Sequence, residues 1–140
     1  MDNFWALALG SGTPAEIPHP SWQQILEALY SLDGGVSLDL VSLTQVGIGT
    51  LTAGGGDDRR YLVVYFPANH PDSPSFTLAD PTLIGPPVSL TIQTTDEHEA
   101  KYAVGLSLVI QVFEYFFHTG EVSKNVHWEI DNTGKEVKWE

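Results

Sequence analysis

The chain opens on a short apolar run, Phe4 to Leu9, that ends in Gly10-Ser11-Gly12. A run of that length closed by turn residues predicts a buried strand. From Ser21 the period lengthens: Trp22, Ile25, Leu26 and Leu29 recur at i, i+3, i+4 and i+7, while Gln23, Gln24 and Glu27 take the other side. This is the apolar stripe of an amphipathic helix, placed at about 21–32. Ser21 with Gln24 fits a capping box, Pro20 keeps the approach extended, and Asp33-Gly34-Gly35 supplies the stop.

Period two then takes over. Val36, Leu38 and Leu40 alternate with Ser37, Asp39 and Val41 in the run Val36 to Leu43, which predicts a strand burying the first set. Further β-like runs are Val46 to Ala53, Tyr61 to Pro67, Ser75 to Ala79 and Val88 to Gln93. Gly54-Gly55-Gly56-Asp57-Asp58 joins two of them as a hairpin-like loop, because glycine adopts positive φ freely, so the sheet is expected to be mostly antiparallel. Pro67 to Pro87 holds six of the nine prolines and must carry irregular backbone around one short strand, since proline cannot donate to a ladder.

In Leu106 to Phe117 the stripe Leu106, Val109, Ile110, Phe113, Phe117 is widened by Leu108, Val112, Tyr115 and Phe116. Only Ser107, Gln111, Glu114 and His118 are polar, so a second helix at about 105–119 should be covered over most of its circumference. His118 and Gly120 suit its C-terminus. Upstream, Thr94 with Glu97 could cap an earlier start, whereas Gly105 and the alternation over Lys101 to Val104 favour a strand that feeds the helix. The runs Val126 to Ile130 and Val137 to Trp139 flank Asp131-Asn132-Thr133-Gly134, a terminal hairpin by its turn chemistry. The expected architecture is α+β: one domain over residues 1–140, with two helices on a mostly antiparallel sheet of about six to eight strands. Trp22 and Trp128 belong to the expected core. Trp139, beside the C-terminus, is expected to be partly exposed and is a candidate interface anchor.

Charge narrows the partners. Six Lys and Arg face eighteen Asp and Glu, a net charge of −12, yet 42% of the residues are hydrophobic and 11% aromatic, which indicates a folded acidic domain. Such a surface repels phosphate backbones and anionic lipid, and the one adjacent basic pair, Arg59-Arg60, directly follows Asp57-Asp58. Without cysteine there is no disulfide, thiolate nucleophile or cysteine-based metal site. The N-terminal apolar run lacks a signal peptide's length and positive flank, and no run reaches a membrane span, so a cytoplasmic protein is expected.

Enzymatic motifs are thin. Gly54-Gly55-Gly56 is not followed by Lys and Ser or Thr, Gly47-Ile48-Gly49 lacks a third glycine, and no Gly-x-Ser-x-Gly elbow occurs. His70-Pro71-Asp72 and Glu97-His98-Glu99 place imidazole beside carboxylate, but neighbours on a strand face opposite ways, so no metal or other cofactor is expected. The densest acidic cluster is Asp96, Glu97 and Glu99; Asp57-Asp58 comes next, then Glu129 with Asp131. A single charge run is ordinarily a solvated face, but an excess of twelve raises encounter rates with a basic partner.

The order of the pieces resembles the family-one immunity proteins of bacterial polymorphic toxin systems. The resemblance runs from about His19 to Ile130. It rests on Trp22 in the first helix, Leu32-Asp33-Gly34 at its end, Gly54-Gly55-Gly56 followed by Tyr61, Leu78-x-Asp80, Phe117-x-x-Gly120 and Trp128-Glu129. Family members often carry a second glycine pair before the last strand and helix, where this chain has Gln93-Thr94-Thr95. The resemblance implies an α+β protein without catalytic residues that binds a cognate toxin, commonly a nuclease or nucleobase deaminase, and occludes its active site. Toxins acting on nucleic acid need a basic channel, which an acidic protein can fill. Asp57, Asp58, Asp96, Glu97 and Glu99 are the expected charged contacts, with Trp139 as an anchor. Two other classes fit the same residues: a small-ligand or enzymatic domain using His70, His98 or His118, and an acidic scaffold subunit.

Overall fold

The computed structural model describes residues 4–10, 15–68, 74–131, 133 and 135–137. In chain order these form β1 (Trp5–Leu9), β2 (Ala15–Pro18), α1 (Trp22–Tyr30), β3 (Leu40–Gln45), β4 (Gly49–Gly55), β5 (Arg60–Pro67), β6 (Phe76–Ala79), β7 (Val88–Ile92), β8 (Thr94–His98), β9 (Val104–Gly105), α2 (Leu106–Thr119), β10 (His127–Ile130) and β11 (Lys135–Glu136). The fold is α+β with two helices, as the patterning predicts, but the strands number eleven rather than six to eight. Nine build one sheet in the order β11-β10-β6-β5-β4-β3-β1-β2, with β9 pairing to β5; β7 and β8 form a second sheet of their own. Every pairing is antiparallel. β2 and β8 are almost entirely open to solvent, so neither carries the apolar alternation that marks a strand in sequence; the strand expected to feed the second helix is present as β9, cut to two residues by the 3-10 turn before it.

Both helices pack on one face of the large sheet. Its core rows are Leu7, Leu43, Leu51 and Tyr65, in register across four strands, and Val41, Ala53 and Val63 beside them. Ile25, Ala28 and Leu29 of α1 and Val109, Val112, Phe113 and Phe116 of α2 close over these rows. The deepest face of α2 is thus Val109, Val112, Phe113 and Phe116, while Ile110 and Phe117 sit at its margin and Tyr115 is exposed. Trp22 is half-buried and stacks on Phe117, tying α1 to α2; Trp128 is fully enclosed. The capping box forms as expected: the Gln24 N–H donates to Ser21 Oγ, and the Ser21 N–H donates to Gln24 Oε1.

Two phases differ from the sequence reading. Val36 is 88% exposed, and the buried residues of β3 are Val41, Leu43 and Gln45. The Asp33 carboxylate accepts the N–H groups of Ser37 and Leu38, which folds residues 33–38 into a closed loop, and the strand begins only beyond it with odd positions inward. These donors hold Asp33 below the ordinary carboxylate value. Val46 to Ile48 is the turn between β3 and β4 rather than strand, with Gly47 at φ +85°. Among the described residues no helix is long and apolar enough to cross a membrane.

Candidate functional site

The opposite face of the sheet carries small and hydroxylated side chains. One row in register runs Ala8, Ser42, Thr52, Val64, Thr77, Glu129 and Glu136. Two structures cover part of this face. The β7–β8 ribbon lies over its middle: a side chain on Gly54 would collide with Ile92, and one on Gly55 would press on Leu90. The Gly54-Gly55 pair is therefore a seat for the ribbon, since a chain without Cβ atoms permits this approach. A 3-10 turn at Ala100–Tyr102 covers the β10 end. Arg60 holds that turn, its Nε donating to the Ala103 carbonyl at 2.5 Å. One half of the only adjacent basic pair is thereby committed inside the fold.

Under the turn sits a cluster that the sequence reading does not nominate. Glu129 is 5% exposed and accepts from Tyr102 Oη at 2.5 Å and from Lys101 Nζ and His127 Nε2 at 3.2 Å each. The second ring nitrogen of His127 meets Glu136 at 3.0 Å. Both contacts are hydrogen bonds only when both ring nitrogens carry hydrogen. Burial alone would raise the Glu129 pKa, but the donors from Tyr102, Lys101 and His127 outweigh it and hold the carboxyl below its ordinary value. Burial, and then the bond to Glu129, raise Tyr102; the separate bond of Lys101 to Glu129 raises Lys101 against its own desolvation. Glu129 divides two cavities. One of about 540 Å³ is walled by Pro81, Leu83, Ile84, Pro87, Lys101 and His127. The other, about 350 Å³, has Leu62, Val64 and Thr77 as lining and His98, Tyr102 and Asp131 around them. The polar groups nearest the shared wall are engaged with one another: Asp131 accepts from both Ser75 Oγ and Thr77 Oγ1. The arrangement fixes the 3-10 turn to β10 and leaves Glu129 an ionised acceptor with three donors.

This network makes stability depend on pH in a defined way. A carboxylate whose folded pKa lies below its unfolded value stabilises above the unfolded pKa, and that contribution disappears as pH falls through the folded pKa. Glu129→Gln should cost about 1–3 kcal/mol at neutral pH, because buried donors lose a charged acceptor. In urea titrations from pH 7 to pH 3 the gap between wild type and variant should be constant at first and then narrow below the ordinary glutamate range. A gap that does not change with pH would show that Glu129 acts through shape alone.

The acidic candidates lie apart from this cluster. Asp57 uses both carboxylate oxygens on Thr91, accepting its N–H at 2.8 Å and its hydroxyl at 2.7 Å. Thr91 Oγ1 lies 2.9 Å from Thr95 Oγ1 on β8. Asp57 is thus a fastener: it ties the Asp57-Asp58 loop to β7, whose partner strand β8 carries Asp96 and Glu97. Asp58, with φ +52°, is exposed, as are Asp96, Glu97 and Glu99. Asp58 also lines a groove of about 470 Å³ with Asp33, Arg59 and Tyr30, and Tyr30 is 62% exposed. Trp139 and His70 lie outside the described residues; His98 borders the smaller Glu129 cavity, and His118 sits on α2 against Trp22, so the two described histidines of the enzymatic reading do not converge. Among the described residues no group of three or more His, Asp or Glu side chains could hold a metal ion.

The sequence could have yielded half of the Glu129 cluster, because the alternation in His127-Trp128-Glu129 puts the histidine and the glutamate on the face opposite a core tryptophan. Comparison of the chain with models of known protein families, with curated proteins and with solved structures returns no match in any of the three.

Proposed function

We propose that the chain is an immunity protein: a cytoplasmic inhibitor that binds a bacterial toxin acting on nucleic acid, a nuclease or a nucleobase deaminase, and fills its basic active-site cleft. The observation that carries this reading is the link from Asp57 through Thr91 to Thr95, which ties the loop bearing exposed Asp58 to the one ribbon on which, or directly after which, exposed Asp96, Glu97 and Glu99 stand. Charge scattered over a surface steers weakly, whereas charge gathered in one region complements a basic channel. Tyr30, exposed next to Asp33 and Asp58, adds an aromatic contact of the kind that dominates binding energy, and Trp139 is kept as a second anchor. The folded chain exposes 7803 Å². A standard footprint of about 800 Å² occupies about a tenth of that.

The test is co-expression with a candidate toxin, followed by binding kinetics. The chain should rescue growth, and Asp58→Lys, Glu97→Lys and Glu99→Lys together should slow association about tenfold or more at low salt. Unchanged association at low salt would remove these residues from the interface. The two cavities beside Glu129 favour a second reading, a small-ligand site. On that reading a ligand would shift the resonances of Leu62, Val64 and Tyr102, and the chain would not protect against any toxin.

A further inference from the structure

We infer that the outer edge of β8 is a docking edge, on which a basic, extended segment of the partner protein adds as a third strand of the β7–β8 sheet. The inference rests on the reading of the chain as an inhibitor of a basic protein and specifies how that protein is held.

The direction of the main-chain groups follows from one hydrogen bond. The N–H of Thr91 donates to Asp57 at 2.8 Å and so points away from β8, and in the turn beyond β7 the N–H of Gln93 is taken by Asp39 at 2.8 Å. In an antiparallel ladder, residues directly opposite one another exchange both hydrogen bonds or neither, in alternation. Thr91 opposes Thr95, and two residues along Ser89 opposes Glu97. Both are therefore pairs without mutual bonds, and the N–H and C=O groups of Thr95 and Glu97 point off the free side of β8. Among the described residues only β7 pairs with β8. The two edges of the ribbon are thus treated differently. On β7 the Asp57 carboxylate takes a place a neighbouring strand would fill; on β8 two donors and two acceptors point off the free side at the spacing a strand needs.

The other sheet ends offer less. The edge strand β2 has four residues and ends in Pro18, and β11 has two residues. Charge selects the occupant of β8. The strand Thr94–His98 bears Asp96 and Glu97 and no Lys or Arg, and Glu99 follows it. A second copy pairing through this edge would oppose acid to acid, which is unfavourable. A segment with alternating Lys or Arg instead gains main-chain hydrogen bonds for affinity and ion pairs for selectivity.

The experiment uses the whole chain, labelled with nitrogen-15, and two capped octapeptides: alternating lysine and valine, and alternating glutamate and valine. The lysine peptide should slow hydrogen exchange at the Thr95 and Glu97 amides about tenfold or more, and the glutamate peptide should not. Thr95→Pro removes an outward N–H without touching the β7 ladder and should weaken lysine-peptide binding about tenfold. Glu97→Lys keeps the backbone donor and should weaken it through charge alone, which covers the case where the proline disturbs the ribbon. Binding that leaves both amides unprotected, protection by both peptides alike, self-association through β8, or no binding of either peptide would each overturn the inference. Toxin rescue by Thr95→Pro at wild-type level would remove the edge and leave the inhibitor reading standing. Strand addition without any toxin rescue would do the reverse.

Discussion

Replacing Trp128 by alanine should remove about 3–5 kcal/mol of folding free energy, the largest loss expected from a side-chain truncation in this chain. The indole is 1% exposed and lies on the core face of β10, opposite Leu78 of β6. Its Nε1–H donates to the Ser123 carbonyl at 2.8 Å, and Ser123 is itself buried. Alanine therefore opens a cavity and also strands a buried acceptor, two costs that add. Trp128→Phe separates them. It keeps most of the volume and loses the donor, so it should cost about 1–3 kcal/mol. Urea unfolding followed by far-ultraviolet circular dichroism would measure both. A loss under about 1 kcal/mol for alanine would mean that this end of the core can collapse around the gap. Natural domains hold only about 5–15 kcal/mol in reserve, so the alanine variant loses a large share of it and its abundance in cells should fall several-fold or more.

Trp128 also shows what the chain discloses in one dimension. The expectation that it is core follows from its alternation with His127 and Glu129, and α1 is legible because its stripe and its capping box are local. The β4–β5 hairpin is legible for a similar reason, a glycine run between apolar runs, whereas β11 falls at Lys135–Glu136, ahead of the expected run Val137 to Trp139, of which Lys138 and Trp139 lie outside the described residues. β8 is not, because Thr94–His98 buries nothing and is a strand only through its partner β7 and the turn at Gln93, where φ is +64°. The phase of β3 is hidden because a single carboxylate, Asp33, decides where the loop ends. The acidic candidates divide on the same principle. Exposure of Asp96 and Glu97 can be guessed from composition, but nothing in the sequence tells that Asp57 faces a threonine 34 positions away. The Glu129 cluster draws on residues 101, 102, 127 and 129, and only the closing of the 3-10 turn onto β10 assembles it.

Gly56→Ala should cost about 2–6 kcal/mol and should loosen the β7–β8 ribbon before it unfolds the sheet. Gly56 sits at φ +98°, where an L side chain is strained, and a Cβ there would lie 2.5 Å from the Leu32 carbonyl oxygen and 2.7 Å from the Asp33 nitrogen. Both are backbone atoms, so the neighbour cannot turn aside as a flexible side chain would. Gly10 provides the control: its φ is +99°, nearly the same, and a Cβ there meets nothing within 4 Å. Gly10→Ala therefore reports dihedral strain alone, about 1–2 kcal/mol. The excess in Gly56→Ala is the cost of forcing the glycine turn away from the end of α1. That movement displaces Asp57, the next residue, and with it the acceptor for the Thr91 N–H. Exchange at the Thr91 amide should accelerate in Gly56→Ala and not in Gly10→Ala, at denaturant concentrations where the amides of Leu51 and Val63 stay protected. Equal losses in the two variants would show that the contact with Leu32 relaxes without cost and that the ribbon is seated by Leu90 and Ile92 alone. If the predicted difference appears, a glycine that looks like a hairpin residue is the pivot that holds the acidic ribbon in place, and the toxin binding proposed for that ribbon should fall with it while the core remains folded.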